Sequence, residues 1–325
     1  MGPRGPISLL GCIRRSILVR GQEEFAEGHA LGAIMKWSGI FAGLTTPFDH
    51  EGRFNCDGYR RNIEHVIAGG VQGVIALAVM GEGPSLTLDE IGEVTRATVA
   101  AVAGRVPVLA TVGGPNERYT AMGIEIGEAA GVDGLMLLPA YFYPLTLNEM
   151  IQHLARVGAT TSLPLMIYNS TYSNVPLTPD AIDTLLTVMP NFVALKEGNQ
   201  LQASEVTRRF GDRLDVFTAR DTYIHELLAA GGAGATSFTA AVVPRLVVSL
   251  YEAARDGDWA ASLAFQRKLS PLCSLMVRHS FPAGVKAALD LAGLAGGATR
   301  PPLIGYTKDE VENVRQELAV LGVSR

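Results

Sequence analysis

The chain has 325 residues, 48% of them hydrophobic, and a formal charge of −5. That is globular composition with enough chain for a sizeable core, and its mild acidity argues against nucleic acid or an anionic membrane as the main partner, since both select basic surfaces. No run approaches the roughly 18 apolar residues of a membrane span, and Cys12, Cys56 and Cys273 lie far apart without metal-ligand spacing, which reads as reduced thiols in a cytoplasmic protein.

Residues 1–34 stand apart from the rest: basic, with no acidic residue before Glu23, and without a period thereafter. They read as a disordered extension ahead of a start at Met35. A targeting segment is the weaker alternative, because its apolar piece ISLLGCI is short and followed at once by Arg14 and Arg15. From Gly39 onward a short β-rich apolar run, a loop and an amphipathic stretch alternate. The runs are 39–48, 73–78, 106–112, 134–139, 164–169, 192–198, 214–219 and 234–239. Continuous rather than alternating apolarity predicts strands buried on both faces, as in a parallel sheet. Between them, 88–104 and 178–189 carry helical periods, with Thr87 and Thr178 placed as N-caps and Pro179 at a first helical position. Glycines at 69–70, 131 and 231–232 close helices ahead of the next run.

Eight such alternations predict a closed (β/α)8 barrel over 35–240. An open doubly wound sheet would call for a glycine-rich phosphate loop after the first strand, and TTPFDHEGRF holds none. The stretch 241–325 exceeds one barrel helix and predicts extra C-terminal helices.

Barrel chemistry sits at the C-terminal strand ends. No His or Cys stands there, which removes zinc hydrolysis and Ser-His acyl transfer, and the carboxylates are too scattered for a metal cage. Neither a metal nor an organic cofactor is indicated. One lysine, Lys196, two tyrosines, Tyr141 and Tyr168, and small hydroxyl or amide groups converge instead. A lysine desolvated by an apolar barrel loses its proton readily and can attack a carbonyl, while a nearby tyrosine hydroxyl moves protons. A snorkelling lysine paired with Glu197 accounts for the same residue without chemistry.

From Met35 to about Gly322 the chain resembles the dihydrodipicolinate synthase / N-acetylneuraminate lyase family. The resemblance is carried by GLTTPFDHEGRFN at 43–55, GEGPSLTLDE at 81–90, LLPAYFYP at 137–144, IYN at 167–169, ALKEG at 194–198 and AGVKAAL at 283–289. It implies a Schiff-base lyase in which Lys196 forms an imine with a 2-oxo acid such as pyruvate. It also implies that Tyr168 relays protons and that Tyr141 is an aromatic lent across a tight-dimer interface, in a dimer or a dimer of dimers.

Two departures from the family pattern bear on the substrate. The strand-two loop, typically Gly-Thr-Thr-Gly-Glu, is here Ala78-Val79-Met80-Gly81-Glu82, so both hydroxyls that help hold the pyruvate carboxylate are gone. Backbone N–H groups, helped by the close approach that Gly81 allows, are expected to hold the carboxylate; the family's hydroxyl relay is short by one member, to be filled by a water or by another residue, with Thr236 and Thr239 as candidates. After Tyr168, Ser173 stands where the lysine-pathway enzymes place a carboxylate-binding arginine, and Arg220 is a candidate replacement cation. Ser170, Ser173, Asn174 and Asn199 suit a hydroxyl-bearing chain. The expectation is an aldolase or dehydratase acting on a 2-keto-3-deoxy sugar acid. A divergent 4-hydroxy-tetrahydrodipicolinate synthase and a non-catalytic paralogue that binds 2-oxo acids are the alternatives.

Overall fold

Each of the eight apolar runs forms a strand: β1 Gly39–Gly43, β2 Gly73–Ala76, β3 Val108–Val112, β4 Gly134–Leu137, β5 Leu165–Asn169, β6 Phe192–Glu197, β7 Asp215–Thr218 and β8 Gly234–Ser237. All pair in parallel with their sequence neighbours, and β8 closes on β1 to complete the barrel. This computed structural model describes residues 36–170, 172–278 and 280–323; the expected N-terminal extension, 1–34, lies outside the described residues.

Helices α1 (Cys56–Ala68), α2 (Leu88–Val102), α3 (Glu117–Ala130), α4 (Leu147–Gly158), α5 (Pro179–Val188), α6 (Gln200–Phe210), α7 (Ile224–Ala229) and α8 (Pro244–Arg255) follow the strands in turn. Their ends obey local chemistry. Thr87 caps α2 in a reciprocal box with Glu90, and Thr178 caps α5 ahead of Pro179. Beyond the barrel lie α9 (Trp259–Met276), α10 (Phe281–Leu291) and α11 (Lys308–Val320). No helix among the described residues is long and apolar enough to cross a membrane.

The register sorts the interior into layers. In an eight-stranded barrel of this kind the stagger averages about one residue per strand, so interior side chains group in fours from alternate strands. Phe41, Leu109, Met166 and Phe217 form a wholly apolar layer from the odd strands, buried to 1% exposure or less. The paired residues place Ile75, Met136, Lys196 and Thr236 of the even strands one level nearer the mouth. Above them come Gly43, Thr111, Tyr168 and Ala219 of the odd strands. The interior is thus apolar at its base and turns polar only in these two upper layers.

Candidate active site

Lys196 ends the apolar stretch of β6, and its side chain rises from the interior toward the mouth, half-buried. Its Nζ lies 4.1 Å from the centroid of the Tyr168 ring, the residue paired with it on β5. The described residues offer this ammonium neither an ion pair nor a hydrogen-bond acceptor. Burial among apolar neighbours pushes its pKa down to about 8, against a weaker upward pull from the charge of Asp221. A useful fraction is therefore free amine near neutral pH. The Tyr168 hydroxyl is pushed up to about 12, chiefly by burial, with a Ser170 hydrogen bond acting in the opposite direction. It is a proton donor that stays neutral at working pH.

Glu197 does not pair with Lys196, as the snorkelling reading required. Consecutive strand residues face opposite sides, and Glu197 points away from the interior. There it is buried to 1% exposure and accepts from Asn169 at 2.9 Å, from Gln202 at 3.0 Å and from the Asn199 backbone at 2.7 Å. Asn169 in turn binds both backbone groups of Leu177, which ties the loop after Tyr168 to β5 and β6.

The strand-two loop sits between two non-glycine residues in the left-handed region, Leu77 at φ 64° and Glu82 at φ 53°. Such residues cost on the order of 1–3 kcal/mol each and persist only where their surroundings hold them. Here Glu82 is held by Lys286 at 2.5 Å and by the backbone N–H of Arg300 at 2.9 Å. Arg300 binds Glu90 through both terminal nitrogens as well as the carbonyls of Gly52 and Ser85. Within the loop, Met80 is buried and lays its sulfur over Gly43, where any Cβ would collide with it. Val79 is half-buried. Gly81 passes so close to the Leu44 carbonyl that a Cβ would lie 2.9 Å from that oxygen, and its own carbonyl accepts from Thr46 at 2.7 Å.

Several expected site residues gather here on different terms. Thr236 shares the layer of Lys196 but donates to the Thr218 carbonyl at 3.3 Å. Thr239 is committed to Asp221 through both its hydroxyl and its backbone N–H. Ser170 is buried, and its oxygen accepts from the Tyr172 N–H. Ser173 spends its hydroxyl within its own loop, on both backbone groups of Val175. Asn199 caps α6 with its side-chain oxygen, leaving its amide nitrogen free to donate. A pocket of about 580 Å³ opens beside the strand-five to strand-seven ends, lined by Ser170, Ser173, Asn199, Gln202, Arg220 and Thr222 among others. Lys196 and Tyr168 are not among its lining residues, although their chain neighbours Asn169 and Glu197 are. Arg220 is exposed and makes no ion pair among the described residues.

Tyr141 is half-buried at the β4 end, its hydroxyl pushed up by burial and by Tyr119. Beside it Phe142, at φ 81°, and Tyr143 are 81% and 59% exposed. Among the described residues no cluster of three metal-ligating side chains occurs.

Asp221 is the residue that sequence reasoning passed over. It is 1% exposed, and one carboxylate oxygen takes hydrogen bonds from Ser237 at 2.7 Å and from Thr239, while the other has no partner. Burial raises its pKa to about 6, opposed first by the hydrogen bonds from Thr239 and Ser237 and then by the Lys196 charge. In the sequence it registers only as the neighbour of Arg220; its burial arises from the turn that carries the chain from β7 to α7.

A family model described as the dihydrodipicolinate synthetase family matches residues 36–321. A 4-hydroxy-tetrahydrodipicolinate synthase of Moorella thermoacetica is 33% identical over 295 residues, 89% of this chain and 100% of its own length. The crystal structure of dihydrodipicolinate synthase from Aquifex aeolicus superposes with a TM-score of 0.85 at 26% identity, covering 89% of this chain and 99% of that one. YagE, a prophage protein of E. coli K12 solved in complex with pyruvate, gives 0.85 at 25% identity, over 89% of this chain and 100% of that one.

Proposed function

This chain belongs to the dihydrodipicolinate synthetase family, and on that premise we propose that Lys196 is the amine through which it forms an imine with a 2-oxo acid. Members of the family are class I lyases that work through a lysine Schiff base, and the pyruvate held by YagE supports a 2-oxo acid here. The observation that carries the assignment is the Lys196 ammonium without an acceptor, 4.1 Å from the Tyr168 ring. The free amine attacks the C2 carbonyl, and Tyr168 passes a proton to the carbinolamine oxygen as water leaves. The resulting iminium takes up the electron pair of the C3–C4 bond as that bond breaks, the C4 hydroxyl gives its proton to the Tyr168 oxygen and becomes an aldehyde, and protonation of the enamine at C3 followed by hydrolysis of the imine releases pyruvate and the free Lys196 amine. Run backwards, the same steps join pyruvate to an aldehyde.

The pocket beside this centre presents amide and hydroxyl groups more than charge. This supports a 2-keto-3-deoxy sugar acid as the substrate class, with catabolic cleavage or dehydration as the reaction. The unpaired Arg220 favours a second reading, condensation of pyruvate with an aldehyde bearing its own carboxylate, in a 4-hydroxy-tetrahydrodipicolinate synthase such as the Moorella relative is named. Borohydride reduction with pyruvate should trap one adduct, at Lys196 alone; a trapped peptide lacking Lys196, or none with any 2-oxo acid, removes the proposal. Comparing kcat/KM for pyruvate plus aspartate semialdehyde with that for 2-keto-3-deoxy sugar acids, in the parent and in Arg220→Gln, separates the readings. The second requires the semialdehyde to be the better substrate and to lose most of that advantage in the variant. The exposed Phe142 and Tyr143 support a homo-oligomer built on a dimer that covers this stretch; a monomeric mass by light scattering at micromolar concentration would count against it.

A further inference from the structure

We infer that Thr111 is a further substrate-binding residue, its hydroxyl donating to the carboxylate of the 2-oxo acid in place of the hydroxyls that the strand-two loop lacks. The inference rests on the imine chemistry proposed for Lys196.

Thr111 lies on β3, the strand beside β2, in the same interior layer as Tyr168 and one level above Lys196. It is 7% exposed, and its hydroxyl has no hydrogen-bond partner. Buried hydroxyls are nearly always satisfied, so an orphan in the layer above a reactive lysine needs a reason. Of the other hydroxyls near the mouth, Thr46 is committed to Gly81, Thr236 to Thr218, and Ser237 and Thr239 to Asp221. Thr45 is also unpartnered, but it lies beyond the end of β1, where strand alternation no longer says which way it faces.

The chemistry fits an anion. A carboxylate accepts and never donates, so it needs free donors, and a threonine whose proton is given to no protein acceptor supplies one. In a 2-oxo acid the carboxylate carbon is bonded to the carbon that becomes the imine. With Lys196 one level below, the carboxylate falls in the layer of Thr111 and Tyr168. The other two members of that layer, Gly43 and Ala219, are small and leave it room. No lysine or arginine occupies the layer to hold the anion instead.

Thr111→Val keeps the shape and removes the donor; Thr111→Ser restores the donor. The test is the pyruvate concentration that half-saturates borohydride trapping, with methyl pyruvate as the neutral probe. Thr111→Val should raise the half-saturating pyruvate concentration about 10- to 100-fold, the scale of a hydrogen bond to a charged group. The serine variant should return to within about threefold, and methyl pyruvate should show little difference among the three proteins. Because the parent hydroxyl is unpartnered, the valine variant should melt no lower than the parent. An unchanged pyruvate dependence in the valine variant overturns the inference, as does an equal shift with methyl pyruvate, which would mark a general distortion. Failure of the parent itself to trap any 2-oxo acid overturns the imine reading beneath it.

Discussion

Two lysines in this protein are taken into the interior over an aromatic ring, Lys196 at 4.1 Å from Tyr168 and Lys286 at 4.3 Å from Phe48. Their surroundings diverge from there. Lys286, on α10, pairs with Glu82 at 2.5 Å and donates to the Ala298 carbonyl at 2.6 Å, within the network that also engages Arg300. Lys196 has Asp221 as its nearby charge but no acceptor in contact. Burial lowers the pKa of both, yet at Lys286 the Glu82 carboxylate opposes the shift by direct contact. Burial alone therefore does not make a lysine a nucleophile; burial without an acceptor does. The paired lysine has a structural task instead, holding Glu82 in its left-handed conformation and so shaping the loop that carries Val79 and Met80.

Removing each ammonium should separate the two roles most sharply. Lys196→Met should abolish the trapped adduct and all imine-dependent turnover while leaving thermal stability unchanged or raised, since a poorly solvated cation is replaced by an apolar chain. Lys286→Met leaves the Glu82 carboxylate buried and unpaired, which costs about 3–5 kcal/mol, and should lower the denaturant midpoint markedly. Chemical denaturation of both variants checks this. Equal destabilisation by the two substitutions would erase the distinction.

Tyr168→Phe probes the reactive side alone. The ring stays over Lys196 and only the hydroxyl goes, so the adduct should still form slowly while turnover falls about 10²–10⁴-fold, the usual worth of a positioned acid–base group. Retention of most of kcat would assign Tyr168 to packing.

How much of this contrast was legible in the sequence follows from where each signal resides. The barrel was readable because eight doubly buried strands leave eight apolar runs, and Lys196 because it interrupts one of them. The Lys286–Glu82 pair was not, since its partners are more than two hundred positions apart and each stands in an ordinary-looking segment. Thr111 was equally silent: a threonine in VPVLATV reads as a β-former, and only the register shows that it faces the interior beside Tyr168. Thr236 and Thr239 looked free in the sequence because nothing there reveals a neighbour's carbonyl or a buried Asp221.

Asp221→Asn should give the smallest effect, a displacement of the pH profile. The parent rate of adduct formation should rise with pH and level off above about 8, as Lys196 gives up its proton. Burial raises the Cys273 thiol that faces Asp221 well above its ordinary value, so it carries no charge at these pH values, and Arg220 beside Asp221 in the chain keeps its charge throughout the range. Once ionised, above about pH 6, Asp221 stabilises the ammonium, so its removal lets the Lys196 pKa fall further and moves the profile to lower pH. Asparagine keeps an oxygen to accept from Ser237 and Thr239, and its amide replaces the carboxylate oxygen that has no partner. The stability profile gives an independent sign. A carboxyl raised from 3.8 to about 6 in the folded state contributes stability at low pH that is lost as pH climbs through that interval. The asparagine variant should lack this loss, which thermal melts between pH 4 and 7 would read. A rate profile displaced upward, or one left in place, would mean that Asp221 ties the turn between β7 and α7 to the end of β8 without acting on Lys196 electrostatically.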